Sequence, residues 1–166
     1  MGKFLLSVHV LAAIVFIGPV TVAVSLFPRY ARTALTGRGT GDLAVTRSAA
    51  VAALLHRISR VYALLGLSVP VAGLAVAVEL DVLADGWLVV SIVLTAAAAA
   101  LLGLVVLPAQ RGAMVALDAD GPDAESARAR SLAGSSRLAA AAGVFALLWA
   151  VVVVLMVFRP GSTTGV

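Results

Sequence analysis

The sequence predicts an all-α protein, an integral membrane antiparallel four-helix bundle built as two helical hairpins. Three observations predict it. First, 62% of the 166 residues are hydrophobic and 12% are charged, with a mean hydropathy of +1.12; a soluble domain carries about 25% charged residues. Second, the apolar residues gather into four runs at about 4–28, 56–78, 87–107 and 138–158. Each is near the ~20 residues that cross a hydrocarbon core as a helix. Third, the arginines crowd onto alternate connections between the runs. The length suits a single membrane domain over 1–166.

The first run, Phe4 to Pro28, carries no acidic or basic residue except His9. A cleaved signal peptide is the competing reading, with Lys3 as its basic start and Ala23-Val24-Ser25 as its cleavage site. The run exceeds an h-region of about 7–15 residues, and basic residues follow it at once, so a retained helix is expected. The second run contains Gly66, Pro70 and Gly73. Pro70 should kink it, and its helix should begin near Asp42, because 42–60 holds no helix breaker. The third run includes the alanine tract Ala96–Ala100, and the fourth ends at Arg159-Pro160. Between them, Gly37-Arg38-Gly39-Thr40-Gly41 and Asp118-Ala119-Asp120-Gly121-Pro122 read as turns, with Asp123 at an N-cap. The link from Glu79 to Gly86 is short, acidic and free of Lys and Arg.

Four crossings place both ends and the 79–86 link on one side, with Lys3 and Arg159. The other side receives Arg29, Arg32 and Arg38 after the first span and Arg47, Arg57 and Arg60 before the second. Arg111, Arg128, Arg130 and Arg137 join them between the third and fourth. Lys/Arg-rich short loops stay in the cytosol, so both termini are expected outside (N-out/C-out). Trp87 would anchor the outer interface and Tyr30 the inner one. Eleven Arg to one Lys, with abundant Ala and Val, suggests a GC-rich bacterial genome and hence a multi-pass protein of the cytoplasmic membrane.

Small residues at four-residue spacing suggest where helices approach in lipid. These are Ser91, Thr95, Ala99 and Gly103 on the third helix, and Ser136, Ala140, Gly143 and neighbouring alanines on the fourth. The first helix offers Ser7, Gly18, Thr21 and Ser25, with His9, Ala13 and Phe16 roughly opposite. The same stripes would suit a homo-oligomer or a larger membrane complex. The bland reading is that an alanine-rich chain produces them by chance.

Composition also excludes chemistry. The chain has no cysteine, so disulfides, thiolate metal sites and cysteine nucleophiles are absent. The net charge of +4 comes from arginines flanking spans and forms no basic face with aromatics, so no nucleic-acid partner is expected. No Asp or Glu lies within a span, which leaves a carboxylate proton relay without groups. No Gly-rich phosphate loop or clustered zinc ligand set is present.

His9 is the sharpest candidate. An ionisable side chain inside a span marks a functional site by default, and neutral imidazole ligates haem or metal. Lying about 8 Å past Phe4 at 1.5 Å per residue, it also suits a half-solvated structural role. His56 lies near the opposite interface, so one iron cannot bind both. It groups instead with Arg57, Ser59 and Arg60 as an anion or headgroup cluster, or as a simply solvated helix end. Met156 shares the depth of His9 and could be a second axial ligand or plain packing. Trp149 lies near mid-membrane, where its indole could stack on a flat cofactor or pack in the core, and its N–H needs an acceptor.

Several short motifs carry a resemblance. His9 precedes Phe16-Ile17-Gly18 in the first span, Arg57-Ile58-Ser59-Arg60 leads into the Pro/Gly-broken second helix, and Leu155-Met156-Val157-Phe158-Arg159-Pro160 closes the fourth. This pattern resembles an uncharacterised family of bacterial predicted integral membrane proteins. More distantly it is similar to the copper-resistance D-type domain and to the membrane-bound, haem-containing protoporphyrinogen oxidase. Phe16 stands where that set usually has Trp, and Arg159 where it has Lys. The resemblance implies a four-helix bundle and makes His9, at the position of the oxidase's haem-ligating histidine, a ligand for haem b. The functions expected are therefore a haem-b-binding or redox-associated membrane bundle, a non-enzymatic accessory or scaffold subunit, or a small transporter or copper-handling protein.

Overall fold

The structure, a computed structural model, describes residues 2–37 and 41–161. Arg38, Gly39 and Thr40 of the first predicted turn, with the Arg38 counted in the charge asymmetry, lie outside the described residues. Four long helices run Gly2–Thr36, Asp42–Glu79, Gly86–Asp118 and Ala124–Phe158, each long and apolar enough to cross a bilayer. No strand occurs among the described residues. The expected start of the second helix at Asp42 is met. All four helices run past their apolar spans at the arginine-rich end, as the turn positions implied.

Three prolines, Pro19, Pro70 and Pro108, shape the first three helices in one way, whereas Pro28 lies inside a regular stretch of the first helix. A proline removes a backbone N–H and crowds the carbonyl four residues before it. Pro19 crowds Val15, the centre of a π turn over Ala13–Ile17. Pro108 crowds Leu104, the centre of a second π turn over Leu102–Val106. Pro70 crowds Gly66, where the second helix breaks before resuming at Ser68. Widened or broken turns are the usual relief for such crowding. The fourth helix has no internal proline and runs unbroken for 35 residues.

Packing follows a heptad-like seam. In the second helix the inward positions are Ser48, Ala52, Leu55, Ser59, Tyr62, Gly66, Val69, Gly73 and Val76, spaced alternately four and three apart. In the fourth they are Leu138, Ala142, Phe145, Trp149, Val152 and Met156. That alternation averages 3.5 residues and keeps one stripe facing its neighbours. Towards the arginine-rich end the seams interlock around Val20, Val24, Phe27, Ala52, Ala98, Val106 and Phe145. At the other end the first helix packs on the second and the third on the fourth. A smaller cluster of Ala77, Trp87 and Leu88, with Met156 against it, ties the hairpins there.

The small-residue stripes expected at helix contacts are only partly right. Ser91 is fully buried and Thr95 half-buried, but Ala99 and Gly103 face outward. On the fourth helix Ser136, Ala140 and Gly143 are exposed, and on the first Ser7, Gly18 and Ser25 are. On the third helix, strict four-residue spacing advances about 40° per step at 3.6 residues per turn, so that stripe spirals away from the seam; the first- and fourth-helix sets keep to one face, which is turned outward. The small-residue interface belongs to the second helix instead, where a Cβ built on Gly66 would stand 3.4 Å from Ile17 Cδ1.

The outward faces are strongly apolar: Leu104 and Phe158 are each 78% exposed. In water such a surface would drive association. The link at 80–85 is compact. Asp81 adopts φ 53°, Val82 N–H donates to Ala77 O and Asp81 N–H to Val78 O, a Schellman closure. Gly121 turns the last link with φ 82°. Asp123 stands at the N-cap position of the fourth helix, but its side chain makes no cap hydrogen bond.

Because the outward surface is as apolar as the core, a buried ring contributes contact and volume more than transfer from water. Phe27→Ala or Phe145→Ala should therefore cost about 2 kcal/mol, the cavity share of a core truncation, while Phe4→Ala should be near neutral. Unfolding titrations in mixed micelles measure the difference.

Candidate functional site: two polar niches on the second helix

His9 is the one buried residue of Gly2–Ala12. It faces the second helix, and its Nδ1 donates to the carbonyl oxygen of Val69 at 3.1 Å. A carbonyl only accepts, so Nδ1 carries the proton, and in the neutral ring the remaining lone pair is on Nε2. Gly73 makes room for the ring. A Cβ there would stand 2.9 Å from His9 Cε1 and 3.6 Å from Nε2. Ala13 and Phe16 lie on the same inward side, half-buried, as the spacing suggested.

His56 lies 13 residues before Val69 on the same helix, about 20 Å along its axis at 1.5 Å per residue. The two histidines therefore belong to separate niches, as their depths implied. His56 Nδ1 donates to Gln110 Oε1 at 3.1 Å, Gln110 Nε2 donates to Ser59 Oγ at 3.3 Å, and Ser59 Oγ donates to Leu55 O at 2.9 Å. The chain of donors ends on a backbone carbonyl. Gln110 and Ser59 are completely buried, and the ring of Phe27 lies 6.4 Å from that of His56. Buried polar groups of this kind are costly unless every member is paired. Arg57 and Arg60, grouped with His56 from sequence, are exposed on the outer faces of the helix. The structure joins His56 to Gln110 and Ser59 rather than to these arginines.

Gln110 was missed by the sequence reading. The signal was available: it is an amide four residues after Val106 on the inward stripe of the third helix. Reading the stripe there requires allowing for the π turn, which inserts one extra residue and shifts the phase.

Trp149 and Met156, the other candidate cofactor contacts, both fall on the seam of the fourth helix. Trp149 is half-buried and packs edge-on to Phe145, with ring centroids 6.3 Å apart. Its Nε1 is buried and meets no acceptor, so the partner expected for it is not supplied by the described residues. Met156 packs on the cluster of Ala77, Trp87 and Leu88, and no hydrogen bond or core cluster joins it to His9. Trp87, in the first turn of the third helix, is buried. Its Nε1 donates to Asp85 Oδ2 at 2.9 Å and the Arg159 guanidinium sits 5.5 Å from its ring centroid. Tyr30 likewise packs against the core cluster. Among the described residues no group of three or more His, Asp or Glu side chains converges as a metal site.

Compared with family models, curated proteins and solved structures, the chain matches none of them.

Two substitutions test the niches. Gly73→Ala should destabilise the bundle by about 1–3 kcal/mol through overpacking on His9, and adding His9→Ala should restore part of the loss. Gln110→Ala should cost about 1–3 kcal/mol by leaving the His56 Nδ1–H without its acceptor, while the Ser59 hydroxyl keeps its bond to Leu55 O. A triple exchange of His56, Gln110 and Ser59 for apolar residues of similar shape should cost much less. Both series are read by unfolding in mixed micelles.

Proposed function

We propose that this chain is a multi-pass protein of a bacterial cytoplasmic membrane, with both termini outside, and that it is a haem-b-binding, redox-associated bundle with His9 as axial ligand. The observation that carries the reading is the bond from His9 Nδ1 to Val69 O. It orients the imidazole and leaves Nε2 as the ligating nitrogen, the arrangement that second-shell carbonyls impose on metal-bound histidines. The resemblance of the first-span pattern to the membrane-bound, haem-containing protoporphyrinogen oxidase supports the same assignment.

His9 would hold the group through Nε2, the nitrogen its bond to Val69 O leaves over. Met156 is held in packing at Trp87, so it is not among the residues that would hold it. When bound, haem would supply one-electron chemistry. The residues of this chain hold and orient: Val69 fixes the ring, Gly73 admits it, and the apolar outward faces keep water from the span.

A second reading, an accessory or scaffold subunit, is favoured by the exposed small residues Ser136, Ala140 and Gly143. They leave the fourth helix open to close approach by a helix of another subunit.

The visible spectrum of the purified protein, supplemented with haem, separates the two. The haem reading expects a Soret band that is lost in His9→Ala and kept in Met156→Leu. Absence of the band, or a band indifferent to His9→Ala, removes it, and co-purification with a larger complex then supports the accessory reading.

A further inference from the structure

At the arginine-rich end the first, third and fourth helices leave a cleft of about 580 Å³. Its walls nearest the spans are apolar: Pro28 from the first helix, Pro108 from the third, and Leu138 from the fourth. Lower down it is lined by Arg111 and Arg130, both exposed and without an ion pair or hydrogen bond to the described residues. Gly112 and Gly134 widen it, since a Cβ at either position would meet nothing within 4 Å.

Depth gives the cleft its meaning. Trp87 and Phe158 stand at one end of the apolar spans. About 20 residues further, one hydrocarbon thickness at 1.5 Å per residue, the third helix reaches Pro108 and the fourth reaches Leu138. The apolar walls therefore begin where the hydrocarbon ends. Arg111 lies about 5 Å beyond Pro108, at headgroup level. Arg130 lies eight residues before Leu138, about 12 Å beyond it, and lines the outer part of the same cleft. Two unpaired guanidiniums facing one cleft, with an apolar roof, complement a phosphodiester carried on acyl chains.

We infer that this cleft binds the headgroup of an anionic phospholipid. Arg111 and Arg130 contact the phosphate, and Pro28, Pro108 and Leu138 take the start of the acyl chains. The inference rests on the membrane setting proposed above but not on haem.

The full chain is reconstituted in nanodiscs of phosphatidylcholine with a minor fraction of phosphatidylglycerol. It is then transferred to detergent, and retained lipid is identified by native mass spectrometry. The expected result is preferential retention of phosphatidylglycerol, falling about tenfold in Arg111→Gln/Arg130→Gln. The same number of charges removed in Arg29→Gln/Arg47→Gln should leave retention unchanged. Gly134→Leu, which fills the cleft with both charges intact, should lower it. Equal losses in the two arginine pairs would reduce the effect to general surface charge and overturn the site, as would full retention in Gly134→Leu. Displacement by excess inorganic phosphate would reassign it to a free anion and overturn the lipid. Helicity by circular dichroism checks that each variant folds, and the haem spectrum of each variant separates failure here from failure of the haem assignment.

Discussion

The close approach of the first two helices is the contact on which the rest of the bundle depends. Helices with apolar outward faces gain little from hiding one apolar surface against another, so contact and hydrogen bonding must hold them. The second helix answers with glycine and serine at seam positions. Ile17 lies against Gly66, and the imidazole of His9 sits in the space Gly73 leaves. The bond to Val69 O then locks that pair across 60 residues of chain. Larger seam residues would push the first helix away and open both niches.

The prolines set the rotation that makes this possible. Each π turn adds a residue to one turn and shifts everything beyond it by part of a turn. In the first helix that shift falls between His9, which meets the second helix, and the run Val20, Val24, Phe27, which meets all the others. In the third it falls between Ala98 and Gln110, and so brings Gln110 inward to His56. One chemical cause, a crowded carbonyl four residues before proline, thus positions both polar niches.

The polar side chains inside the bundle differ in how far they are satisfied. The His56, Gln110 and Ser59 chain ends on a carbonyl. His9 and His56 each hydrogen-bond through one ring nitrogen, Nδ1. The buried Trp149 Nε1 meets no acceptor among the described residues.

Composition and spacing alone determined the all-α class, the four long helices, the early start at Asp42 and the separation of the two histidines. Those properties depend on run length, breaker position and rise per residue, all of which are local. Residue-by-residue facing was decided only in three dimensions. The third-helix stripe, at strict four-residue spacing, drifts off the contact line, those of the first and fourth helices face outward, and the π turns change phase in the middle of a helix. Gln110, Gly73 and the packing of Met156 were hidden for the same reason. A side chain's partner depends on the accumulated rotation of its own helix and of the helix opposite, and neither is written in the neighbouring residues.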